Sequence, residues 1–303
     1  TASTGDWFGT FLPQSKVLAD PGLRDAVRHP LQACVPDGTL LPEGVERIVP
    51  VRPWEQERPE HVLMEAAERF QEGDSYVYDV DVRDPAGALL EHWEGLRLRA
   101  VRRNGGPGPW VPALLGPHLE RELERVLGGS RSVVVEPRAG SGTEDRRTVT
   151  GLAVGRALNR PVRVRHRPDG RPEVPDSQVS AAHGAGVTLV VVGENRLACD
   201  VETVRQRSDG NWTRLLGAGL VSLRDLVAER ADECVHRAAT RVWGALECLR
   251  KAGGTGRSLT LETVGEHGWV VLSSGDTRIA TWRTTLHGNP EPVVFAVLTG
   301  EEN

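Results

Sequence analysis

The alternation of apolar and polar positions over the first hundred residues predicts a helix followed by antiparallel strands. Helical spacing is found in "DAVRHPLQACV", residues 25–35, and strand alternation in "GVERIVPV", residues 44–51. The segments "YVYDVDV" and "LLEHWEGLRLRAV" flank "RDPAG", a Pro/Gly turn that would join them as a hairpin. We therefore expect a helix packed against an antiparallel sheet.

A Gly/Pro cluster without periodicity, "RRNGGPGPW" at residues 102–110, predicts a linker. We place a first domain at 1–103, a linker at 104–112 and a second domain at 113–303. In the second domain, periodicity predicts helices at 113–127, at 144–158 and from about Leu223 to Lys251. Strands are predicted at 132–137, 186–193, 196–204, 258–264, 268–274 and 277–285. The predicted fold class is α+β.

Composition narrows the classes of function. The chain has 303 residues, enough for two domains, and a formal net charge of −5, which argues against nucleic acid as a partner. Its apolar runs are too short to cross a bilayer, so we expect no membrane partner. The four cysteines are far apart without a C-x-x-C pair, as in a cytoplasmic protein with reduced thiols. The chain begins with Thr1 and has a single methionine, Met64, so we expect a fragment of a longer protein.

Two carboxylates stand at the end of a predicted strand, in "GVTLVVVGENRLACDVETV". Asp200 and Glu202 are two residues apart, so in a strand they project to the same face while Val201 turns to the other. Paired carboxylates without nearby His or Cys favour a hard cation such as Mg²⁺. The alternative is a strand end that carries two solvated acids.

The predicted long helix offers an acid and a base on one face. In "RVWGALECLRKAGG", Val242, Leu246 and Leu249 form an apolar stripe. On a neighbouring face lie Trp243, Glu247 and Lys251, spaced four residues apart. Lys251 is one of only two lysines in a chain that otherwise uses arginine, which hints at a specific task. The alternative is a surface Glu–Lys pair worth a few tenths of a kcal/mol, roughly 0.2–0.5.

Positive charge concentrates between the predicted helix and strand, in "RVRHRPDGRPEVPDSQVSAAHGAG". Guanidinium groups suit phosphate oxygens, and this segment supplies Arg163, Arg165, Arg167 and Arg171. His183 could donate to a phosphate, although a lone histidine is more often structural. The sequence thus carries acids suited to a metal and arginines suited to phosphates.

The order of four motifs, "GRPEV", "VSAAHG", "CDVE" and "WGALECLRKAGG", resembles the 4′-phosphopantetheinyl transferases of the surfactin type. The family pattern is G-K-P, then S-x-S-H-S, then G-x-D-x-E, then W-x-x-K-E-x-x-x-K. The similarity covers roughly residues 113–303. Three departures are visible: Leu246 replaces the lysine before the helix glutamate, Ser180 is the only hydroxyl left in the second motif, and Arg171 stands at the lysine of the first.

The resemblance implies a fold of two similar α+β halves, with coenzyme A in the cleft between them. It implies that Asp200, Glu202 and Glu247 bind Mg²⁺, and that Glu247 is also the base for an acceptor serine. Lys251 would be catalytic and, with His183, would contact coenzyme A phosphates, as would the arginines named above. The implied reaction transfers 4′-phosphopantetheine from coenzyme A to a serine of an acyl carrier protein and releases 3′,5′-ADP.

The front of the chain, "GLRDAVRHPLQACVPDGTLLPEGVERI", resembles the second half of a polyketide synthase dehydratase, a double hotdog. The family's helix motif D-x-x-x-Q/H corresponds to Asp25 and His29, with a surface aspartate as the competing interpretation. The family's base motif, H-x-x-x-G-x-x-x-x-P, has a literal match at His166, Gly170 and Pro175. We interpret this match as a coincidence because it follows Asp25 and overlaps the arginine-rich segment. A dehydratase that lacks its first half is expected to be inactive alone.

A dehydratase end followed by such a transferase is similar to the carboxy terminus of iterative enediyne polyketide synthases. The partners implied are coenzyme A and a carrier domain of the same synthase, with a homodimer conceivable through upstream domains. Two alternatives remain open: a dehydratase whose second domain only supports it, and a non-catalytic interaction module.

Overall fold

The structure is a computed structural model that describes residues 21–35, 37–51, 61–103, 109–137, 142–254 and 258–300. The chain divides into two units, Thr1–Gly105 and Gly106–Asn303. The division falls inside the segment predicted as a linker, of which residues 104–108 lie outside the described residues. Each unit is a mixture of helices and antiparallel sheets, so the predicted α+β fold class is confirmed.

The described residues of the first unit form one short helix against one antiparallel sheet. Helix α1 spans Pro21–Arg28 and continues as a 3₁₀ helix over His29–Cys34. The strands are β1 Gly38–Gly44, β2 Arg47–Pro50, β3 Leu63–Glu72, β4 Ser75–Arg83 and β5 Leu89–Arg103. The sheet order is β1-β5-β4-β3, with β2 also paired to β5. This arrangement is consistent with a hotdog fold.

The helical segment covers the inner face of the sheet. Val27, Leu31 and Val35 are buried against alternate residues of β4 and β5 that point to the same side. These sheet residues are Tyr76, Tyr78, Val80, Val82, Trp93, Leu96, Leu98 and Ala100. The predicted hairpin of β4 and β5 is confirmed by their antiparallel register. The predicted helix over 25–35 changes type at His29, directly before Pro30, because proline lacks the N–H that an α-helix interior needs.

The second unit begins with helix α2 and strand β6. Its helices are α2 Leu115–Leu127, α3 Thr143–Ala157, α4 Asp209–Leu216, α5 Val221–Arg230 and α6 Val235–Lys251. Its first strands are β6 Ser132–Pro137, β7 Arg165–His166, β8 Pro172–Glu173, β9 Gln178–Gly184, β10 Val187–Gly193 and β11 Arg196–Thr203. The remaining strands are β12 Thr260–Val264, β13 Trp269–Ser274, β14 Thr277–Thr284 and β15 Val293–Gly300.

Two antiparallel sheets form the centre of this unit. One has the order β6-β10-β9, the other the order β11-β15-β14-β13-β12, and β7 pairs separately with β8. Apolar residues of both sheets and of α2 form one core. Helices α4 to α6 cover the other face of the five-stranded sheet, and α3 packs on the three-stranded sheet. Strand β11 is an edge strand of the larger sheet, with α6 on one side and β9 on the other.

Two sequence expectations for this unit need correction, and β15 is one of the elements that were not predicted. The single helix predicted from Leu223 to Lys251 is two helices, separated at Asp232, whose backbone is left-handed with φ of 48°. Trp110, assigned to the linker, is buried in the core of the second unit beside Trp282. Strand β15 was not predicted, although it is the central partner of both β11 and β14.

None of the helices among the described residues has the length and apolar character needed to cross a membrane.

Candidate functional site

The two predicted strand acids lie side by side on β11. Asp200 and Glu202 face helix α6, while Cys199 and Val201 are buried in the core between the two sheets. The alternation predicted from the sequence is therefore present. Asp200 is buried and Glu202 is half-buried, which excludes the alternative of two solvated acids at a strand end.

Asp200 is paired with the helix lysine. Lys251 Nζ donates to Asp200 Oδ1 at 2.8 Å and to the backbone oxygen of Cys199 at 2.8 Å. Asp200 Oδ2 is buried and has no hydrogen-bond partner among the described residues. Burial raises the pKa of Asp200 above its ordinary value, against the opposing charge of Lys251. Burial lowers the pKa of Lys251, but the charge of Asp200, together with smaller contributions that include its hydrogen bond, outweighs this, so the pKa lies above its ordinary value.

Glu202 receives a hydrogen bond from a tryptophan of α6. Trp243 Nε1 donates to Glu202 Oε1 at 3.1 Å. The pKa of Glu202 is raised, first by burial and then by the negative charge of Asp200. The charge of Glu247 adds to this increase, and it also contributes to the raised pKa of Asp200. The three acids therefore lie within electrostatic range of one another.

Glu247 is held by its own helix. Arg250 Nη1 forms an ion pair with Glu247 Oε1 one turn away. The Arg250 guanidinium also lies over the Trp243 ring, with its carbon 5.2 Å from the ring centroid. The predicted apolar stripe of Val242, Leu246 and Leu249 is buried, which turns the Trp243 and Glu247 face toward β11. The helix geometry predicted from the spacing is thus present.

In this arrangement each acid is bound to a donor of the chain, and the described residues contain no group of three or more His, Cys, Asp or Glu side chains that could hold a metal ion. The predicted set of three carboxylates is close but not gathered around one point. The donor chemistry still fits Mg²⁺, which takes oxygen ligands and usually only one or two carboxylates. Asp200 Oδ2 supplies a buried carboxylate oxygen without a partner, and Glu202 stands beside it.

A cavity of about 1190 Å³ lies next to these acids. Its wall includes Lys251, the partner of Asp200, and Arg250, the partner of Glu247. Positive side chains far outnumber the two acids of the wall, Asp169 and Glu173. The other arginines are Arg146, Arg147, Arg160, Arg163, Arg165, Arg167, Arg171 and Arg196. Such a surface suits a ligand with several phosphate oxygens.

The predicted phosphate-binding residues all line this cavity. Arg171 donates to the backbone oxygen of Arg250 at 3.4 Å, so it lies at the end of α6 near Lys251. Arg163, Arg165 and Arg167 are exposed along the segment around the β7–β8 hairpin.

His183 also lines the cavity, where two threonines contact its ring. Its Nδ1 is 3.0 Å from the hydroxyl of Thr188, and its Nε2 is 3.4 Å from that of Thr150. These threonines were not predicted from the sequence.

The contacts of other residues of the site were also not predicted from the sequence. Ser180, the hydroxyl retained in the second motif, is buried and accepts a hydrogen bond from Cys199 N at 3.0 Å. Its hydroxyl therefore supports β11, and Ser180 also lines the cavity. The roles of Trp243 and Arg250 as partners of the acids were also missed. The spacing of Glu247 and Arg250, three residues apart on a helix, is the signal that could have indicated their pairing.

In the first unit, Asp25 lies in α1 and is half exposed. It forms an ion pair with Arg28, and its Oδ2 is 3.7 Å from His29 Nδ1. The predicted pair Asp25 and His29 is thus brought together. Nearby, Arg24 forms a 2.9 Å ion pair with Glu91, which is fully buried and also accepts from Trp93 Nε1 at 2.8 Å.

A comparison with family models found a match for this unit. Residues 9–108 match the polyketide synthase dehydratase N-terminal domain. The first unit therefore contains a polyketide synthase dehydratase region. The matched model describes an N-terminal domain, which differs from the predicted second half of a double hotdog. No curated protein matches the chain.

The literal base motif of the dehydratase lies outside the matched region. His166 ends β7, and Gly170, with φ of 86°, forms the turn to β8. Both residues line the arginine-rich cavity of the second unit. Pro175 follows β8 and lines the same cavity. This placement agrees with the interpretation that the motif match is a coincidence.

Proposed function

We propose that the second unit transfers 4′-phosphopantetheine from coenzyme A to a serine of an acyl carrier protein. The observation that carries this proposal is that acids of one strand contact residues of one helix beside an arginine-lined cavity. Asp200 and Glu202 come from β11, Glu247 and Lys251 from α6, and Lys251 lines the cavity itself. An acidic pair suited to Mg²⁺ and a basic wall suited to phosphates match the two needs of this reaction.

The residues of the site have separate tasks in this proposal. Asp200 and Glu202 would hold Mg²⁺, which when bound offsets charge on a pyrophosphate and polarises its phosphorus. The arginines and His183 bind the phosphates of coenzyme A and orient them. Lys251, released from Asp200, neutralises charge that builds on phosphate oxygens.

Glu247 accepts the proton of the carrier serine as that oxygen attacks the β-phosphorus. The bond from this phosphorus to the bridging oxygen of the pyrophosphate breaks, and 3′,5′-ADP leaves. The products are a phosphopantetheinylated carrier and 3′,5′-ADP, so the atoms balance without a further reactant.

The decisive measurement is the intact mass of a carrier domain after incubation with this protein, coenzyme A and Mg²⁺. We expect a gain equal to one phosphopantetheine group, lost in Glu247→Gln. The matched control is Glu229→Gln, which changes an exposed glutamate of α5 in the same way. Undiminished transfer by Glu247→Gln would refute the role given to this residue. Absence of any transfer by the wild-type protein would refute the proposed function.

A second candidate is a dehydratase function of the first unit, with the second unit as its support. The family match over residues 9–108 favours this candidate and supports it more directly than it supports the transferase. We expect no dehydration of a β-hydroxyacyl thioester by this chain alone, because the catalytic histidine of a partner half is needed beside Asp25. Measurable dehydration that is lost on His166→Ala would overturn both this expectation and the interpretation of His166.

A further inference from the structure

One face of α6 carries a connected set of contacts that reaches two of the three acids. Trp243, Glu247 and Arg250 occupy positions i, i+4 and i+7 of this helix. Trp243 donates its indole N–H to Glu202, and its ring supports the guanidinium of Arg250. Arg250 in turn pairs with Glu247. A single tryptophan is therefore in contact with the carboxylate of β11 and with the cation that holds the carboxylate of α6.

We propose that Trp243 and Arg250 act as a pair of positioning residues that fixes Glu202 and Glu247 near Asp200. This inference rests on the proposed transferase function and adds to it the residues that orient the acids. Side chains that hydrogen-bond to metal-binding groups fix their orientation and tune their affinity. Neither Trp243 nor Arg250 needs to touch the reacting atoms for this task.

The role of Arg250 follows from the departure at Leu246. The resembled family has a lysine directly before the helix glutamate, but Leu246 is buried in the core and provides no charge. Three acids within electrostatic range repel one another unless a cation lies between them. Lys251 supplies such a cation at Asp200, and Arg250 supplies one at Glu247. Because its side chain is about half exposed, at 49%, the ion pair contributes little to folding stability and is better suited to orientation.

The role of Trp243 follows from its two different contacts. The indole N–H can only donate, so the bond to Glu202 favours the ionised carboxylate and fixes one of its oxygens. The ring face offers a negative surface for the guanidinium of Arg250, which limits the directions that this long side chain can take. Phenylalanine at this position would keep the ring and lose the N–H, so the two contacts can be separated by substitution.

The chain offers a matched control in the same layer of helices. Trp212 on α4 donates its indole N–H to His236 Nδ1 at 3.1 Å, and Arg207 lies over its ring at 5.5 Å. Trp212 and Trp243 thus make the same two kinds of contact, but no contact joins Trp212 to an acid of the site among the described residues. Trp212→Phe should therefore reproduce the structural effect of Trp243→Phe without its effect on the acids.

The first experiment measures Mn²⁺ binding by electron paramagnetic resonance, without coenzyme A or carrier. We expect Trp243→Phe to weaken Mn²⁺ binding about tenfold, as for other partners of metal-binding groups, and Trp212→Phe to leave it within twofold. We also expect the KM for coenzyme A to stay within twofold in Trp243→Phe. Equal Mn²⁺ affinity in Trp243→Phe and wild type would overturn the role of Trp243.

The second experiment concerns Arg250 and uses the rate of transfer at saturating Mn²⁺ and coenzyme A. We expect Arg250→Gln to lower kcat about tenfold and Arg250→Lys to recover most of the loss, because lysine retains the charge beside Glu247. Unchanged kcat in Arg250→Gln, or a lysine variant no better than glutamine, would overturn the role of Arg250. If the wild-type protein binds Mn²⁺ and transfers the group, these results concern the positioning pair alone. If the wild-type protein does neither, the proposed function fails and the inference falls with it.

Discussion

Replacement of Lys251 by methionine tests whether the buried charge of Asp200 depends on its partner. The substitution keeps most of the side-chain volume and removes the ammonium group 2.8 Å from Asp200 Oδ1. At an effective dielectric constant of about 20, the attraction across this distance is about 6 kcal/mol. Burial of the two charges offsets much of it, and breaking such a pair costs about 3–5 kcal/mol.

Proton uptake by Asp200 sets an upper bound on this loss. Without Lys251, the pKa of Asp200 rises further above its ordinary value of 3.8, because burial still raises it and the lowering effect of the Lys251 charge and hydrogen bond is lost. Protonating a carboxyl of that ordinary pKa costs about 4 kcal/mol at pH 7 but only roughly 1.5 kcal/mol at pH 5, at about 1.36 kcal/mol per pH unit. The folded variant binds more protons than the unfolded chain between these pH values, so its stability falls as pH rises.

We therefore expect Lys251→Met to lose about 3–4 kcal/mol of unfolding free energy at pH 7 and less than about 2 kcal/mol at pH 5. Urea denaturation followed by tryptophan fluorescence at both pH values, in the presence of a chelator, measures the difference. The control is the double variant with Asp200→Asn, which removes the buried charge and should lose the pH dependence of the effect. An equal loss at pH 5 and pH 7 would show that the buried charge is not its cause.

Two further substitutions in the second unit have defined outcomes. Gly184→Ala should lower the free energy of unfolding by about 1–3 kcal/mol, because its Cβ would overlap a carbonyl oxygen of β11. The control Gly210→Ala, in an open position of α4, should be neutral or stabilise by up to about 1 kcal/mol. The urea midpoints of the two variants measure the difference, and equal midpoints would contradict the close approach. Glu233→Ala should lower the free energy of unfolding by about 3–5 kcal/mol, because it leaves the fully buried guanidinium of Arg241 without its 2.8 Å ion pair. Thermal unfolding measures the loss, and a variant as stable as wild type would disprove the need for this pair.

The spacing of residues predicted those features of the site that lie within a single strand or helix. Alternation along β11 predicted that Asp200 and Glu202 share a face, and helical periodicity predicted the buried stripe around Leu246. The side-chain partners depend on how β11 and α6 pack, which spacing within either element does not determine. For this reason Trp243 was recognised as a member of a face but not as the hydrogen-bond donor to Glu202.

Strand β3 shows why part of the fold could not be predicted from local sequence. Its sequence, "LMEAAERFQE", is composed mainly of residues that favour helices, yet it pairs with β4 over its length. Propensities of this kind are weak, and pairing within the sheet overrides them. The segment of β15, "VVFAVLTG", has a continuous apolar run because both faces are covered, so the period of two that marks a half-exposed strand is absent.

Strand β9 supports β11, and this contact limits which residues of the "VSAAHG" segment can vary freely. The Ser180 oxygen accepts the Cys199 amide, and Gly184 leaves room for the Val201 carbonyl. Both positions are thus constrained by the fit of one backbone against another. In a library randomised across this segment, we expect selection at these two positions to follow protein yield, and selection at His183 to follow affinity for the ligand.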